Sequence, residues 1–374
     1  MKTKLPGLNG LRAFAASFVL FNHVFQIAGE SGDQSSLIFF KKHELLGTEM
    51  VNLFFVISGF IITYILYSEK AETGRISLKN FYIKRILRIW PLYFGLIVIA
   101  FLVGNFTSIY SAFPALNNAG LLILVLFLVT FFPAFPDPHI SVLPHYWSLS
   151  VEEQFYIFWP PVFRRLKGKK VLFFCLLVIV LIILARNAMA YLVSYYHYSK
   201  IRGLLTILNL SMFGSIATGI AGAWLLVNNN HILGIIFNKF VQAACWLVLL
   251  CSILFSFFIP YVHYEVMACV CLVLILNVTS NKNTLLSLES KFLDKTGAIS
   301  YGIYMIHWPL IPVIVYVIKE LGLWSFFIQT KQIPLLIISF GLTWLLADLS
   351  FRYFESFFLR LKPGKKSMRV QQAG

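Results

Sequence analysis

Segments of about twenty apolar residues recur from one end of this 374-residue chain to the other. A helix of that length crosses the hydrocarbon core of a bilayer, so the pattern predicts an all-α integral membrane protein. The composition agrees, since 59% of the residues are hydrophobic and only 12% are charged, about half the charged share of a soluble domain. The apolar segments are 9–28, 51–68, 86–104, 119–134, 151–163, 171–193, 204–227, 240–259, 262–280, 297–318 and 332–352.

The basic excess of the chain also follows from a membrane location. Its net charge of +16 would favour nucleic-acid binding in a soluble protein. Cytoplasmic loops of membrane proteins carry such an excess, and no basic and aromatic array on a soluble module is present, so we expect no nucleic-acid partner. The five cysteines lie in apolar segments without zinc or redox spacing. His, Cys and carboxylates show no metal-ligand spacing either, so we expect no metal.

The placement of Lys and Arg predicts the orientation of the chain. The loop after the second segment and the stretch 164–170 are rich in both and are expected inside, whereas 105–118 has neither and is expected outside. Two apolar segments lie between 105–118 and 164–170, yet only an odd number of crossings can join opposite sides. We therefore predict that 119–134 is a re-entrant or interfacial hairpin. About ten transmembrane helices remain, with both termini cytoplasmic.

The predicted domain organisation is simple. We expect a single membrane-embedded domain over residues 1–360 and a basic cytoplasmic tail over 361–374. The basic N-terminus before an apolar run resembles a secretory signal, but polar residues interrupt that run, so we expect a retained first span. No internal repeat is evident, which counts against an inverted-repeat transporter.

Arg12 and His23 lie eleven residues apart within the first apolar segment. Eleven steps of about 100° return to nearly the same helix face, roughly 16 Å further along the axis. Ionisable residues within a membrane span are functional candidates, so the pair predicts one cavity with an Arg at the membrane edge and a His deep in the bilayer. The alternative is a snorkelling Arg and a hydrogen-bonded structural His.

Two arginines lie at the start of the third apolar segment. Arg85 and Arg88 are three residues apart and share a helix face, so both guanidiniums can bind the phosphates of one ligand. Ordinary anchoring of the segment on the cytoplasmic side is the alternative interpretation.

Two adjacent carboxylates, Glu152 and Glu153, enter the apolar segment that follows His145 and Trp147. Adjacent helical residues point about 100° apart, so at most one carboxylate faces a given site and the other is free for a structural role. Both would also stabilise a helix N-terminus.

A late segment carries Tyr301, Tyr304 and His307. The two tyrosines share a face and the histidine lies one step further round, which indicates either a site or an aromatic belt at the membrane interface. Ser58 is a nucleophile candidate without an adjacent base, and close helix packing is the favoured explanation for it. The same packing explanation applies to Gly214, Gly219 and Gly222, while Arg186 and Asp348 are intramembrane charges without an evident partner.

These motifs, in this order and spacing, resemble those of the integral-membrane acyltransferase 3 family, over nearly the whole chain. Members of that family O-acylate surface glycans, lipopolysaccharide O-antigen, peptidoglycan or lipids. The late Glu355 resembles the family's closing Glu-Arg-Pro, from which Ser356 and Phe357 depart. The matching elements are Leu11-Arg12 with His23, Phe54 to Phe60, Arg85 to Arg88 with Pro91, Trp147 to Leu149 with Glu152 to Tyr156, and Ser300-Tyr301 with Tyr304 and His307.

The resemblance implies a role for each of these residues. Arg85, Arg88 and Arg12 would hold the phosphates of cytoplasmic acyl-CoA and bring its thioester to His23. His23 would then act either as general base or as a covalent acyl carrier, and Glu152 would orient it as in a triad. The acceptor or the oxyanion would be bound by His307, Tyr304, Tyr301 and Trp147.

The expected protein is a multi-pass O-acyltransferase of the bacterial inner membrane. It would transfer an acyl group, acetyl in the first instance, from acyl-CoA to a hydroxyl of a cell-surface glycan or glycolipid precursor. Acyl-CoA would be a donor substrate and no cofactor would be bound permanently. A transporter or flippase of a glycan or lipid intermediate is the alternative, since it also needs a polar intramembrane cavity. Family members sometimes carry an extra periplasmic esterase-like domain, and we expect none here because the chain ends too early to hold one. The oligomeric state, a homo-oligomer included, stays open.

Overall fold

The computed structural model describes residues 5–106, 117–134, 143–196 and 199–363, and these residues contain helices but no β-strand. A 3₁₀ helix covers Val129–Ala134 and a π-helical turn covers Ser350–Glu355. The α-helices are α1 (Leu8–Glu30), α2 (Gln34–Lys42), α3 (Leu45–Thr73), α4 (Leu78–Phe106), α5 (Asn118–Val125), α6 (Tyr146–Arg165), α7 (Lys170–Tyr196), α8 (Ser199–Ser211), α9 (Phe213–Val227), α10 (Ile232–Ile236), α11 (Lys239–Phe255), α12 (His263–Ser280), α13 (Lys291–Ala298), α14 (Ser300–Glu320), α15 (Trp324–Gln329), α16 (Ile333–Leu349) and α17 (Ser356–Arg360).

Eight helices of the described part are long and apolar enough to cross a membrane. Each predicted span coincides with a helix, but two of those helices fall outside this group. The segment 151–163 lies in α6, whose first turns are polar, and 240–259 lies largely in α11, which has 17 residues. The protein is therefore a multi-pass, all-helical membrane protein, while the count of about ten spans and the position of the termini stay predictions. Most of the predicted tail 361–374 lies outside the described residues.

The segment 119–134, predicted as a hairpin, forms two short helices. These are α5 and the 3₁₀ helix, and the segment between them contains Phe127, which has a φ of 55°. Eight residues of α-helix rise about 12 Å, too little to cross a bilayer. Phe127 stacks on Tyr93 of α4 with ring centroids 4.4 Å apart, and Tyr93 donates a hydrogen bond to the carbonyl of Leu124. The segment is thereby attached to the side of the bundle.

Helix α3 lies at the centre of the bundle and packs most closely against α9. Two glycines permit this approach: a Cβ added to Gly59 would lie 2.1 Å from the carbonyl oxygen of Ile216, and one added to Gly219 would lie 2.1 Å from that of Val56. Small residues at crossing points are typical of membrane helix pairs, because they let two backbones come together. The predicted packing role of Gly219 is thus confirmed.

The intramembrane charges left unassigned by the sequence are paired. Arg186 of α7 donates through Nη1 to both oxygens of Glu265 on α12, at 2.9 and 3.0 Å. Asp348 accepts from Arg352 at 2.7 Å and from Lys295 at 3.3 Å. Such pairing lowers the cost of placing charge in a low-dielectric interior. These pairs lie outside the cavity described below and serve the packing of the bundle.

Two turns at the ends of the helices are held by side chains. At the α1–α2 turn, Asp33 caps α2 and accepts hydrogen bonds from Ser35, Ser36 and Gln332. Burial raises the pKa of this carboxyl, but the hydrogen bonds outweigh burial and the net result is a lowered pKa.

At the opposite ends of the helices, α3 terminates at Gly74, whose φ of 72° ends the helix without strain. Thr73 donates through Oγ1 to the carbonyl of Arg75 at 2.7 Å, and Glu69 accepts from the amide of Ser77 at 3.0 Å. These contacts fix the turn that leads into α4.

Candidate active site

A cavity of about 280 Å³ lies inside the helical bundle, between α1, α3, α4, α6 and α14. Its walls combine apolar side chains with an unusual number of polar ones for a membrane interior. The polar lining residues are Arg12, Ser58, Arg85, Arg88, Ser148, Glu152, Tyr156, Ser300, Tyr301 and Tyr304. Most of the residues predicted from separate motifs thus meet at one place.

The helical period explains how each helix contributes to the cavity. Residues four apart lie on one face, and Ser148, Glu152 and Tyr156 follow this spacing along α6. Arg85 and Arg88 come from one face of α4, as predicted. The adjacent Glu153 turns away and accepts a hydrogen bond from Trp90 Nε1 at 3.4 Å. The expectation that only one of the two carboxylates faces the site is therefore confirmed.

Glu152 is held by two hydroxyl groups. Ser58 donates to one carboxylate oxygen in a short hydrogen bond, and Tyr156 donates to the other at 3.0 Å. A carboxylate bound by two donors has a defined position. Ser58, for which helix packing was the favoured explanation, lines the cavity instead. Tyr156 is a site residue to which the sequence gave no role, although it stands four residues after Glu152 and so shares its face.

The three arginines of the cavity have no salt-bridge partner among the described residues. Within the described ranges neither Arg12, Arg85 nor Arg88 forms a salt bridge. The Nε atom of Arg85 is buried without a hydrogen-bond partner, and its guanidinium lies 5.6 Å from the ring centre of Tyr156. Among the described residues, Glu152 is the one carboxylate that lines the cavity with these three guanidiniums, and Glu153 and Glu355 lie close enough to act on Arg85 and Arg88. A buried donor without a partner is costly. The arrangement suits an anionic ligand that supplies the missing acceptors.

His23 and His307 form a second centre beyond the cavity. Nδ1 of His23 and Nε2 of His307 are 2.8 Å apart, and the two rings are nearly parallel. His307 is fully buried and its Nδ1 lies 3.2 Å from the carbonyl oxygen of Ile303. A third imidazole, that of His145, lies with its ring centre 5.2 Å from His307. The sequence did not single out His145, because nothing in its motif shows which helix it faces.

The hydrogen bonds determine which nitrogen of each ring carries a proton. A carbonyl oxygen only accepts, so His307 must donate through Nδ1, and its neutral ring then accepts at Nε2. His23 accordingly donates through Nδ1, which leaves its Nε2 with a free lone pair. No described residue forms a hydrogen bond with that atom. His23 is thus presented as a base or nucleophile at Nε2.

The structure corrects the predicted partner of His23. Glu152 was expected to orient this imidazole, but its two oxygens are bound by Ser58 and Tyr156, and the nitrogen it would have bound contacts His307 instead. The orienting role falls to His307, which the sequence had placed with the acceptor.

The expected single cavity from Arg12 to His23 is also divided. The cavity is lined by Arg12 but not by His23 or His307. Tyr304 lines it and donates to the carbonyl of His145 at 3.2 Å, while its hydroxyl also lies 2.6 Å from Ser148 Oγ. Its ring centre is 5.6 Å from that of His307, so Tyr304 separates the cavity from the histidines.

The remaining predicted residues lie at different places. Tyr301 lines the cavity and donates to the carbonyl of Ile89 at 2.7 Å. Trp147 does not line the cavity and packs near Phe55, with ring centroids 6.0 Å apart. An acceptor role for Trp147 therefore has no support from the cavity geometry. No group of three or more His, Cys, Asp or Glu side chains among the described residues is arranged to hold a metal ion.

Comparison with known proteins identifies the family of the chain. The sequence model of the acyltransferase 3 family, which is described as an acyltransferase domain, matches residues 5–352. The chain belongs to this family. It is thus an acyltransferase-family protein of the membrane, as the motifs predicted.

Two relatives indicate the kind of chemistry found in the family. A Staphylococcus aureus (strain COL) protein named as an O-acetyltransferase is 33% identical over 169 residues, which are 42% of this chain and 24% of that protein. Peptidoglycan O-acetyltransferase OatA of Listeria monocytogenes is 26% identical over 382 residues, which are 94% of this chain and 55% of that protein. The chain thus spans about a quarter to about half the length of these relatives. No solved structure matches the chain at a significant level.

Proposed function

We propose that the protein transfers an acetyl group from cytoplasmic acetyl-CoA to a hydroxyl of a cell-envelope glycan or glycolipid precursor, within the inner membrane. The observation that carries this proposal is the placement of three guanidiniums without a salt-bridge partner among the described residues on the same helical bundle as an imidazole with a free nitrogen. The guanidiniums bind an anion, and the imidazole accepts a proton or an acyl group. The relatives named as O-acetyltransferases favour a hydroxyl acceptor, and the Listeria relative suggests peptidoglycan as the first acceptor to try.

The dimensions of the donor fit this arrangement. The pantetheine arm of CoA has roughly a dozen bonds between the sulfur and the diphosphate, equal to about four extended residues or about 14 Å. Arg12 and His23 are eleven residues apart on α1, a rise of about 16 Å. A diphosphate at the three arginines would therefore bring the thioester to the level of His23. Because Tyr304 lies between them, its side chain must move aside for the thioester to pass.

The hydrogen-bond pattern defines the proton transfers. Nε2 of His23 removes the proton of the acceptor hydroxyl while its oxygen attacks the thioester carbonyl carbon. The carbon–oxygen bond forms, the carbon–sulfur bond breaks, and the sulfur leaves with the electron pair. The proton then passes from His23 to the thiolate, so that CoA is released as a thiol. His307 keeps the Nδ1 proton of His23 in place throughout and is a positioning residue.

A covalent route uses the same nitrogen. Nε2 of His23 would attack the thioester carbonyl carbon, so that a carbon–nitrogen bond forms, the carbon–sulfur bond breaks and CoA leaves as a thiolate. The acceptor oxygen would then attack the same carbon as the carbon–nitrogen bond breaks, and the hydroxyl proton would pass to the thiolate, which gives CoA thiol and free His23. Brief reaction with radiolabelled acetyl-CoA, followed by denaturation and mass spectrometry of the peptide containing His23, distinguishes the two routes. Label on His23 supports the covalent route and its absence during turnover supports direct transfer.

The test of the proposal is release of CoA thiol by the purified protein from acetyl-CoA, with solubilised peptidoglycan fragments as acceptor. We expect release to depend on the acceptor and to fall by about two to four orders of magnitude in His23→Ala, the contribution of a general base. His231, which is exposed, provides a matched control as His231→Ala. Binding of acetyl-CoA without release of CoA, across a panel of glycan and lipid-linked acceptors, would contradict the proposal, as would full activity in folded His23→Ala.

A further inference from the structure

An open pocket of about 640 Å³ lies at the turn between α3 and α4 and reaches the end of α6. Its basic lining residues are Arg75, Lys79 and Arg164, all of them exposed. A volume of this size is typical of small-molecule sites. From the sequence, these cations indicated only that the loops lie on the cytoplasmic side.

The pocket is built on the same helices as the candidate active site. Along α3 its lining residue Glu69 follows the cavity residue Ile65 by four positions, a rise of about 6 Å. Along α4 Lys79 precedes Arg85 by six positions, about 9 Å, and along α6 Arg164 follows Tyr156 by eight, about 12 Å. The pocket therefore continues the cavity toward the cytoplasm by about 6 to 12 Å along these helices.

The basic side chains of the pocket have no salt-bridge partner among the described residues and are available to bind a ligand. Within the described part of the chain, Arg75, Lys79 and Arg164 form no salt bridge. The one acidic lining residue, Glu69, already accepts the amide of Ser77 and so serves the turn itself. Three cations against one carboxylate that is held by the backbone favour a ligand with more than one negative charge.

We infer that this pocket binds the phosphorylated adenosine end of the acyl donor, outside the arginine cavity. The inference rests on the proposed function. A diphosphate at Arg12, Arg85 and Arg88 would leave the nucleoside and its separate phosphate projecting toward the cytoplasm, where the three exposed cations lie. Recognition of the donor is then divided between an enclosed site for the diphosphate and arm and an open site for the nucleotide. The shared chemistry, an anionic phosphate group, is also that of an anionic lipid headgroup.

The test compares a donor that carries this end of the molecule with one that lacks it. Acetyl-CoA carries the diphosphate and the phosphorylated nucleotide, whereas acetyl-pantetheine lacks both and keeps only the arm and the thioester. In the triple variant Arg75→Ala/Lys79→Ala/Arg164→Ala we expect the KM for acetyl-CoA to rise about tenfold, and the KM for acetyl-pantetheine to stay unchanged. Adenosine 3′,5′-bisphosphate should compete with acetyl-CoA in the wild-type protein and compete about tenfold more weakly in the variant.

The matched control removes the same charge from the same surface. Lys70→Ala/Lys84→Ala/Lys167→Ala replaces three cations that do not line the pocket, and both KM values should stay at the wild-type level. An equal rise of both KM values in the pocket variant, or an equal rise in the control, would overturn the inference, because the cations would then act only through general charge.

Three further outcomes are decisive. If the wild-type protein turns over and the pocket variant behaves like it with both donors, the nucleotide site is refuted while the proposed function stands. If the wild-type protein releases no CoA, the proposed function fails. The pocket is then tested by the affinity for adenosine 3′,5′-bisphosphate alone, which should be about tenfold lower in the pocket variant than in the wild-type protein. The pocket variant could instead bind the bisphosphate as well as the wild-type protein does and lose binding of phosphatidylglycerol vesicles. That result would assign the pocket to lipid and overturn the inference.

Discussion

Replacement of His307 by an apolar residue tests the positioning of His23. In His307→Leu the 2.8 Å contact with Nδ1 of His23 is lost, and the imidazole loses the partner that fixes its proton. A buried hydrogen bond left unmade costs about 1–3 kcal/mol, and each 1.36 kcal/mol is about tenfold in rate. We therefore expect kcat to fall about 5- to 150-fold. The KM for acetyl-CoA should stay near the wild-type value, because His307 does not line the arginine cavity.

The assay is initial-rate release of CoA thiol at saturating acceptor, and the decisive comparison is with His307→Gln. The amide oxygen of glutamine can accept the Nδ1 proton of His23, so this variant should recover a large part of the lost kcat. A merely structural role of His307 would predict equal losses for both variants and a lowered melting temperature. A kcat within twofold of wild type in folded His307→Leu would refute the reasoning.

Three other predictions follow from the same structure. Tyr304→Phe removes the hydroxyl whose bonds to Ser148 and the His145 carbonyl hold the ring between the cavity and the histidines. The ring should then move aside more readily, and release of CoA without acceptor should rise about fivefold; unchanged acceptor-independent release would show that this hydroxyl does not hold a barrier. Gly219→Ala places a methyl group 2.1 Å from a carbonyl of α3 and should destabilise the protein by about 1–3 kcal/mol in thermal unfolding, whereas Gly341→Ala, with no atom within 4 Å, should have little effect. Asp33→Asn should lower stability at neutral pH, and the difference from wild type should disappear as the pH falls below the lowered pKa of Asp33; a difference that is constant with pH would contradict the ionised cap.

The sequence predicted the class of fold and most of the residues around the cavity. Hydropathy identifies the spans because lipid admits only backbone that is hydrogen-bonded within itself, and the helical period places Arg85 and Arg88 on one face. These are properties of single helices, and a single sequence contains them.

Contacts between different helices could not be predicted from the sequence in the same way. The sequence paired Glu152 with His23, because a carboxylate commonly orients a catalytic imidazole, whereas the crossing of α1 and α14 brings His307 to that position. The spacing of Arg12 and His23 could not show that Tyr304, nearly three hundred residues later, would stand between them. The periodicity of one helix says which side chains share a face but not which neighbour they meet.

The central claim is that an anionic thioester enters from the cytoplasm with its diphosphate at the arginines and its acyl end at His23. A structure with a non-hydrolysable thioether analogue of acetyl-CoA tests it most directly. We predict phosphate oxygens within hydrogen-bond distance of Arg12, Arg85 and Arg88, Tyr304 turned aside, and the acyl carbonyl carbon about 3–4 Å from Nε2 of His23. An analogue bound outside the cavity, or bound within it with its acyl end directed away from His23, would contradict the account.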